Sequence, residues 1–119
     1  MSEMGPKTLA DIQAVILAGG KGTRLQSVVS DVPKALAVVS GRPFIDWVLT
    51  GLAQAGIHRV VLCTGHLASM LREFVQDGDR WGLEVLHSEE PEPLGTAGAL
   101  RYALPLINSE LVLVLNGDS

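Results

Sequence analysis

The stretch Leu17-Ala18-Gly19-Gly20-Lys21-Gly22-Thr23-Arg24-Leu25 leaves the apolar run Ala14-Val15-Ile16-Leu17 and puts three glycines, a threonine and two cations into one turn. Glycines let backbone N–H groups come close to an anion, and they accept the positive φ angles that aim several such groups at one point. Lys21, Arg24 and Lys34 would add formal charge. Between Gly19 and Pro43 the cations Lys21, Arg24, Lys34 and Arg42 face the single acid Asp31, so a segment of plus three sits within a chain of minus four. That composition suits a local grip on a phosphate-bearing group. The overall negative charge argues against broad binding to nucleic acid, which needs many cations to displace counterions. Taken alone, the loop also fits a tight strand-to-loop turn that holds nothing.

Two familiar phosphate loops fail on the residues. G-x-x-x-x-G-K-[ST] fails because neither Gly19 nor Gly20 has Gly-Lys at that spacing. G-x-G-x-x-G fails because Gly20-Lys21-Gly22 is followed by Leu25 where the third glycine belongs. His58, His66 and His87 are scattered without metal-ligand spacing and read as structural or exposed. Cys63, the single cysteine, lies within Val60-Val61-Leu62-Cys63 and reads as a small buried hydrophobe. Trp47 and Trp81 do not interleave with cations, so they offer no stacking platform for single strands; Trp47 reads as core or helix-packing surface.

The elements that must position the loop are legible from periodicity. Ala14 to Ala18, Val60 to Cys63, Leu83 to His87 and Leu111 to Leu115 are short apolar runs with few polar positions, the pattern of buried parallel strands. Between them, Phe44, Ile45, Val48, Leu49 and Leu52 recur at helical spacing and stop at Ala55-Gly56. A second helix carries Leu67, Met70, Leu71, Phe74 and Val75, ended by Asp77-Gly78-Asp79, and a third runs from Thr96 to Leu104 before Pro105. Strands alternating with helices predict an α/β layer structure with a mostly parallel sheet. In such sheets ligands bind outside the carboxyl ends of the strands, where the glycine loop lies. Residues 1–11 read as a flexible lead and 12–119 as one domain, with 47% apolar residues to fill its core.

The wider pattern is more specific than any one motif. "GGKGTRL" is followed by "DVPKAL", by "GRPFI" opening the first helix, and later by "EEPEPLGTAGAL" and "VLNGDS". Together, from about Gln13 to Ser119, these residues resemble the nucleotidyltransferases that activate sugar 1-phosphates. "SVVSDVPKAL" and "LGTAGAL" look most like the bacterial D-glycero-D-manno-heptose 1-phosphate guanylyltransferases. GDP-mannose pyrophosphorylases and uridylyltransferases acting on N-acetylmuramate 1-phosphate stand close behind.

The resemblance implies a three-layer Rossmann-like (GT-A-like) fold, of which this chain would be a truncated N-terminal part. It implies attack of a sugar phosphate oxygen on the α-phosphorus of a nucleoside triphosphate, GTP favoured, with release of pyrophosphate. On this resemblance Arg24 matches the signature arginine on the β- and γ-phosphates, and Lys34 the signature lysine near the α-phosphate. Leu17, Ala18, Gly19, Gly20, Lys21, Gly22 and Thr23 would wrap the nucleotide, Gly95 and Thr96 would close over the base, and Glu90 would read the base edge, where related uridylyltransferases also carry a glutamate, so the residue leaves the base open. Asp118 matches the first acidic ligand of a catalytic Mg²⁺. Asn116-Gly117 after a strand is also a strong hairpin signal, which is the competing reading of that segment. Glu89 and Glu92 read as solvated loop acids.

The partners implied are a nucleoside triphosphate and a sugar 1-phosphate, with no nucleic acid or membrane, a cytoplasmic location, and room for a homo-oligomer. Two other readings compete. One is a regulatory subunit of the same fold that binds nucleotide sugars without catalysis, against which Arg24, Lys34 and Asp118 together count. The other is a Rossmann dehydrogenase domain, against which the failed glycine fingerprint counts.

Overall fold

A computed structural model of the chain describes residues 11–19, 33–65, 67–92 and 94–117. Among the described residues six strands and three α-helices follow one another as β1 (Gln13–Ala18), β2 (Val38–Val39), β3 (Arg42–Pro43), α1 (Phe44–Ala55), β4 (Arg59–Thr64), α2 (Ala68–Val75), β5 (Glu84–Glu89), α3 (Gly95–Ala103) and β6 (Val112–Asn116). Four of the strands form one sheet in the order β5-β4-β1-β6, parallel at every pairing. β2 and β3 make a separate small antiparallel pair ahead of α1. The main strands and helices expected from periodicity are present, with ends shifted by a residue or two.

The continuous apolar runs of β1 and β4 are explained by helices on both faces. Ala14, Ile16, Val60 and Leu62 point into a core with Ile45, Leu49 and Leu52 of α1 and Leu71 and Val75 of α2. Val15, Val61 and Cys63 point the other way, against Ala99 and Ala103 of α3. The three layers follow directly from that division. Gly56 ends α1 in the left-handed region, with φ of 98°, and its N–H returns to the carbonyls of Leu52 and Ala53.

The small pair β2 and β3 falls on residues of which "GRPFI" was read as opening the first helix. Its short strands are held by side chains of α1. Trp47 donates from Nε1 to the Val39 carbonyl at 2.8 Å, and the Arg42 guanidinium lies 4.1 Å from the Trp47 ring centroid. Trp47 is therefore an exposed helix residue that props the pair. Arg42 also forks onto Asp46, which accepts from Arg42 Nη2 at 3.0 Å and from Trp81 Nε1 at 2.8 Å. These donors hold the Asp46 carboxyl at about 2, with the Arg42 bond the largest cause. Glu89, expected as a loop acid, ends β5 and pairs with Arg72 of α2.

Gln13 begins β1 almost fully buried, with both ends of its amide hydrogen-bonded. Its Oε1 accepts from the backbone N–H groups of Asn108 at 2.6 Å and Ser109 at 3.0 Å, and its Nε2 donates to the Leu106 carbonyl at 3.1 Å. One amide side chain thus fixes the turn that delivers the chain into β6. No helix among the described residues is long and apolar enough to cross a membrane.

Candidate nucleotide site

The crossovers through α1 and α2 step from β1 to β4 and on to β5, while the crossover through α3 lands on the opposite side of β1 as β6. The strand order therefore reverses at β1, and the crevice outside the carboxyl ends of β1, β4 and β6 is where an open parallel sheet places a ligand. Gly19 stands at that edge.

Three segments meet there at close range. A Cβ on Gly19 would lie 2.9 Å from Glu90 Oε2, and a Cβ on Gly65, just past β4, would lie 3.0 Å from the Gly19 carbonyl oxygen. The Glu90 N–H donates to the Thr64 carbonyl at 2.7 Å, which carries the β4 to β5 pairing one residue beyond β5 and holds the glutamate over the sheet edge. Glu90 is only 9% exposed. Burial pushes its carboxyl above the usual value, partly offset by a hydrogen bond from the Leu94 backbone. The same Leu94 leads into α3, so the acid is tied to the mouth of that helix. Below it, burial pushes the Cys63 thiol up to about 11, with the charge of Glu90 adding to the effect. Cys63 is a buried, unreactive filler, as its sequence context suggested.

The end of β6 is equally constrained. A Cβ on Gly117 would lie 2.4 Å from Ile16 Cγ2, and the Gly117 N–H donates to the Leu17 carbonyl at 2.9 Å. Only glycine fits, and the segment stays parallel to β1 through residue 117. Among the described residues no second strand pairs with it as a hairpin would require.

The expected site residues divide accordingly. Gly19 and Glu90 come together, with Leu17 and Ala18 leading in on β1. Gly95, with φ of 75°, and Thr96 open α3 and are exposed. Lys34 begins a 3-10 turn, Lys34–Leu36, entered from the extended backbone of Pro33. Ala35 is buried in the core beside α1, which anchors the turn beneath Lys34. Gly20, Lys21, Gly22, Thr23, Arg24 and Asp118 lie outside the described residues, as does His66. His87 is half-buried, with Nε2 2.6 Å from the Gln76 carbonyl.

Sequence reasoning missed Gly65, Gly117 and Thr64. The buried Thr64 hydroxyl has no hydrogen-bond partner among the described residues. The signal for Thr64 and Gly65 was available: Thr64-Gly65 closes an apolar run just where a parallel strand meets its ligand crevice.

The sequence pattern of the nucleotidyl transferase family matches residues 13–119, the whole sheet and its loops. The chain belongs to that family. It is 38% identical over 108 residues to the D-glycero-alpha-D-manno-heptose 1-phosphate guanylyltransferase of Campylobacter jejuni, covering 91% of this chain and 48% of that protein. It is also 38% identical over 108 residues to the N-acetylmuramate alpha-1-phosphate uridylyltransferase of Neisseria meningitidis, covering 90% of this chain and 47% of that one. Among solved structures it is similar to HddC from Yersinia pseudotuberculosis complexed with GMP-PN. The TM-score is 0.80 at 37% identity, over 90% of this chain and 48% of that one. The chain thus spans about half the length of these relatives.

Proposed function

We propose that this chain carries the nucleotide-binding half of a sugar-1-phosphate nucleotidyltransferase that takes GTP. The observation supporting this reading is the meeting of Gly19, Gly65 and Glu90 at the sheet's switch point. The two glycines let the ends of β1 and β4 and the Glu90 side chain close on one another, which holds a carboxyl at the edge of the crevice. Guanine presents N1–H and N2–H side by side, which suits the two oxygens of one carboxylate, whereas uracil presents a single N–H between two acceptors. Relatives named for both guanylyl and uridylyl transfer match this chain. The base preference rests on the likeness of "SVVSDVPKAL" and "LGTAGAL" to guanylyltransferases together with the held Glu90 carboxyl.

In this reading Leu17, Ala18, Gly19 and Gly20 bind base and ribose through the backbone, with Gly95 and Thr96 closing from α3. Lys21, Gly22, Thr23 and Arg24 hold the β- and γ-phosphates, where the planar fork of Arg24 matches a multi-oxygen target. Lys34, on its anchored turn, faces the α-phosphate and the incoming sugar phosphate. These groups orient the attacking oxygen in line and stabilise charge on the phosphoryl oxygens and the departing pyrophosphate. Asp118 follows the glycine that Ile16 and Leu17 lock against β1, so a carboxylate there fits the role of a Mg²⁺ ligand together with triphosphate oxygens. Bound Mg²⁺ would neutralise negative charge on those oxygens.

Titration of GTP, UTP, dTTP, ATP and NAD with Mg²⁺ by calorimetry tests the proposal, with Arg24→Ala and Lys34→Ala as controls. Selective GTP binding lost in both variants is the expected result. Binding of NAD in preference to every triphosphate would overturn it.

A further inference from the structure

Along β5, Val85 and His87 lie on the face of Val60 and Leu62, the face that α1 and α2 cover. Between them and the end of α2 lies a cavity of about 460 Å³, lined by Arg72, Glu73, Gln76, Asp77, Val85 and His87. Pockets of this size hold small molecules. Its walls are mostly apolar, so the few polar groups decide what enters.

His87 supplies the first of these groups. Its Nε2 lies 2.6 Å from the Gln76 carbonyl oxygen, which only accepts, so in the neutral ring Nε2 carries the proton and Nδ1 is an acceptor. Nδ1 is buried and has no hydrogen-bond partner among the described residues. Gln76, which holds the ring, sits at φ of 53°, where a residue with a side chain is strained, and such strain gathers at ligand sites. The charges point the same way. Arg72 is committed to Glu89, to which its Nε donates at 2.5 Å. No cation among the described residues pairs with Glu73 or Asp77, and the Asp77 carboxylate accepts the Asp79 N–H on Oδ1 at 3.0 Å. Acceptors and two uncompensated negative charges therefore line an apolar pocket.

We propose that this cavity binds a small organic ammonium, a primary amine carrying an apolar body. The body lies on Val85 and the imidazole ring. The ammonium group sits at the Glu73 and Asp77 carboxylates and donates its third hydrogen to Nδ1 as the ring tilts to meet it, so each N–H has an acceptor. An anion would meet two carboxylates, and a neutral alcohol would leave their charge unanswered. The inference is independent of the choice of nucleotide, because none of the lining residues belongs to the contact of Gly19, Gly65 and Glu90.

The test titrates the isotope-labelled chain with benzylammonium at neutral pH and reads NMR shifts, with benzyl alcohol and benzoate as controls of the same shape at matched ionic strength. The expected result is a saturable shift at the His87 ring nitrogens and at the amides of 73, 76, 77 and 85, with benzyl alcohol at least about tenfold weaker and benzoate without effect. The double variant Glu73→Gln, Asp77→Asn keeps the size of both side chains and the acceptor for the Asp79 N–H, and should bind the amine at least about tenfold more weakly. His87→Phe keeps the apolar platform but not Nδ1, and should bind it about threefold to tenfold more weakly. Benzyl alcohol bound as tightly as the amine, an undiminished affinity in either variant, or no saturable shift at millimolar amine would overturn the proposal.

Discussion

β4 and β6 are written in nearly the same language and live in opposite surroundings. Val60, Val61, Leu62 and Cys63 are fully buried, each packed by a helix on its own side, whereas Val112, Leu113 and Val114 are all substantially exposed. Both strands pair with β1, on its two sides. The difference lies in what covers them. An apolar run reports the burial a strand is built for, and the layers around it decide how much it receives.

The largest effect that sharpens this contrast is truncation of one leucine on each strand, both on the face of Ala14 and Ile16. Leu62→Ala should cost about 2–5 kcal/mol in urea unfolding, because it empties a filled site, while Leu113→Ala should cost less than about 1 kcal/mol. Equal costs would break the comparison, since they would mean that β6 is as well packed as β4.

Next comes the device that delivers the chain into β6. Gln13→Ala should cost about 1–3 kcal/mol, because it strands the N–H groups of Asn108 and Ser109 that the Gln13 amide now satisfies. Amide exchange should accelerate at residues 108–116 more than in β4.

A smaller effect is expected at the support of α1. Asp46→Asn should cost about 1 kcal/mol, a figure discounted for the partial exposure of the Arg42 pair. The Asp46 carboxyl sits below its unfolded value, at about 2, so its contribution is present above the ordinary carboxylate range and is lost as pH falls towards 2. The variant should therefore lose the difference from the parent chain in acid melts near pH 2.

Glu90 has the opposite sign and the smallest effect on the fold. Its carboxyl is raised above the unfolded value, so the folded state holds the proton more tightly and stability falls as pH rises through that window. Glu90→Gln should then melt slightly higher than the parent at neutral pH and converge with it in acid. An isolated structural role would predict a loss instead.

How much was visible beforehand follows the same division. The helices declared themselves because Leu49, Leu52, Leu71 and Val75 recur at the helical period against buried strands. The β2 and β3 pair was hidden, because it is held by Trp47 and Arg42 reaching back from α1 and its entry, contacts that no local pattern announces. Glu90 could be placed near the base from the family resemblance, but its tie to Gly19 could not. That contact depends on β1 and the loop after β5 converging across β4, a long-range fact of the sheet order. Gly117 was read only as half of a turn signal, since its clash with Ile16 exists only once β6 lies beside β1.

The proposed pairing of Gly19 and Glu90 as one base-reading unit is tested most directly by a methyl group. Gly19→Ala places a Cβ 2.9 Å from Glu90 Oε2, the flexible end of a side chain, so the fold should survive while the carboxylate is displaced. Calorimetry of GTP against UTP with Mg²⁺ on the parent, Gly19→Ala and Glu90→Gln should show a GTP preference in the parent. Both variants should lose it, with melting temperatures within a few degrees of the parent, as about 1 kcal/mol would allow. An undiminished GTP preference in either variant would contradict the account.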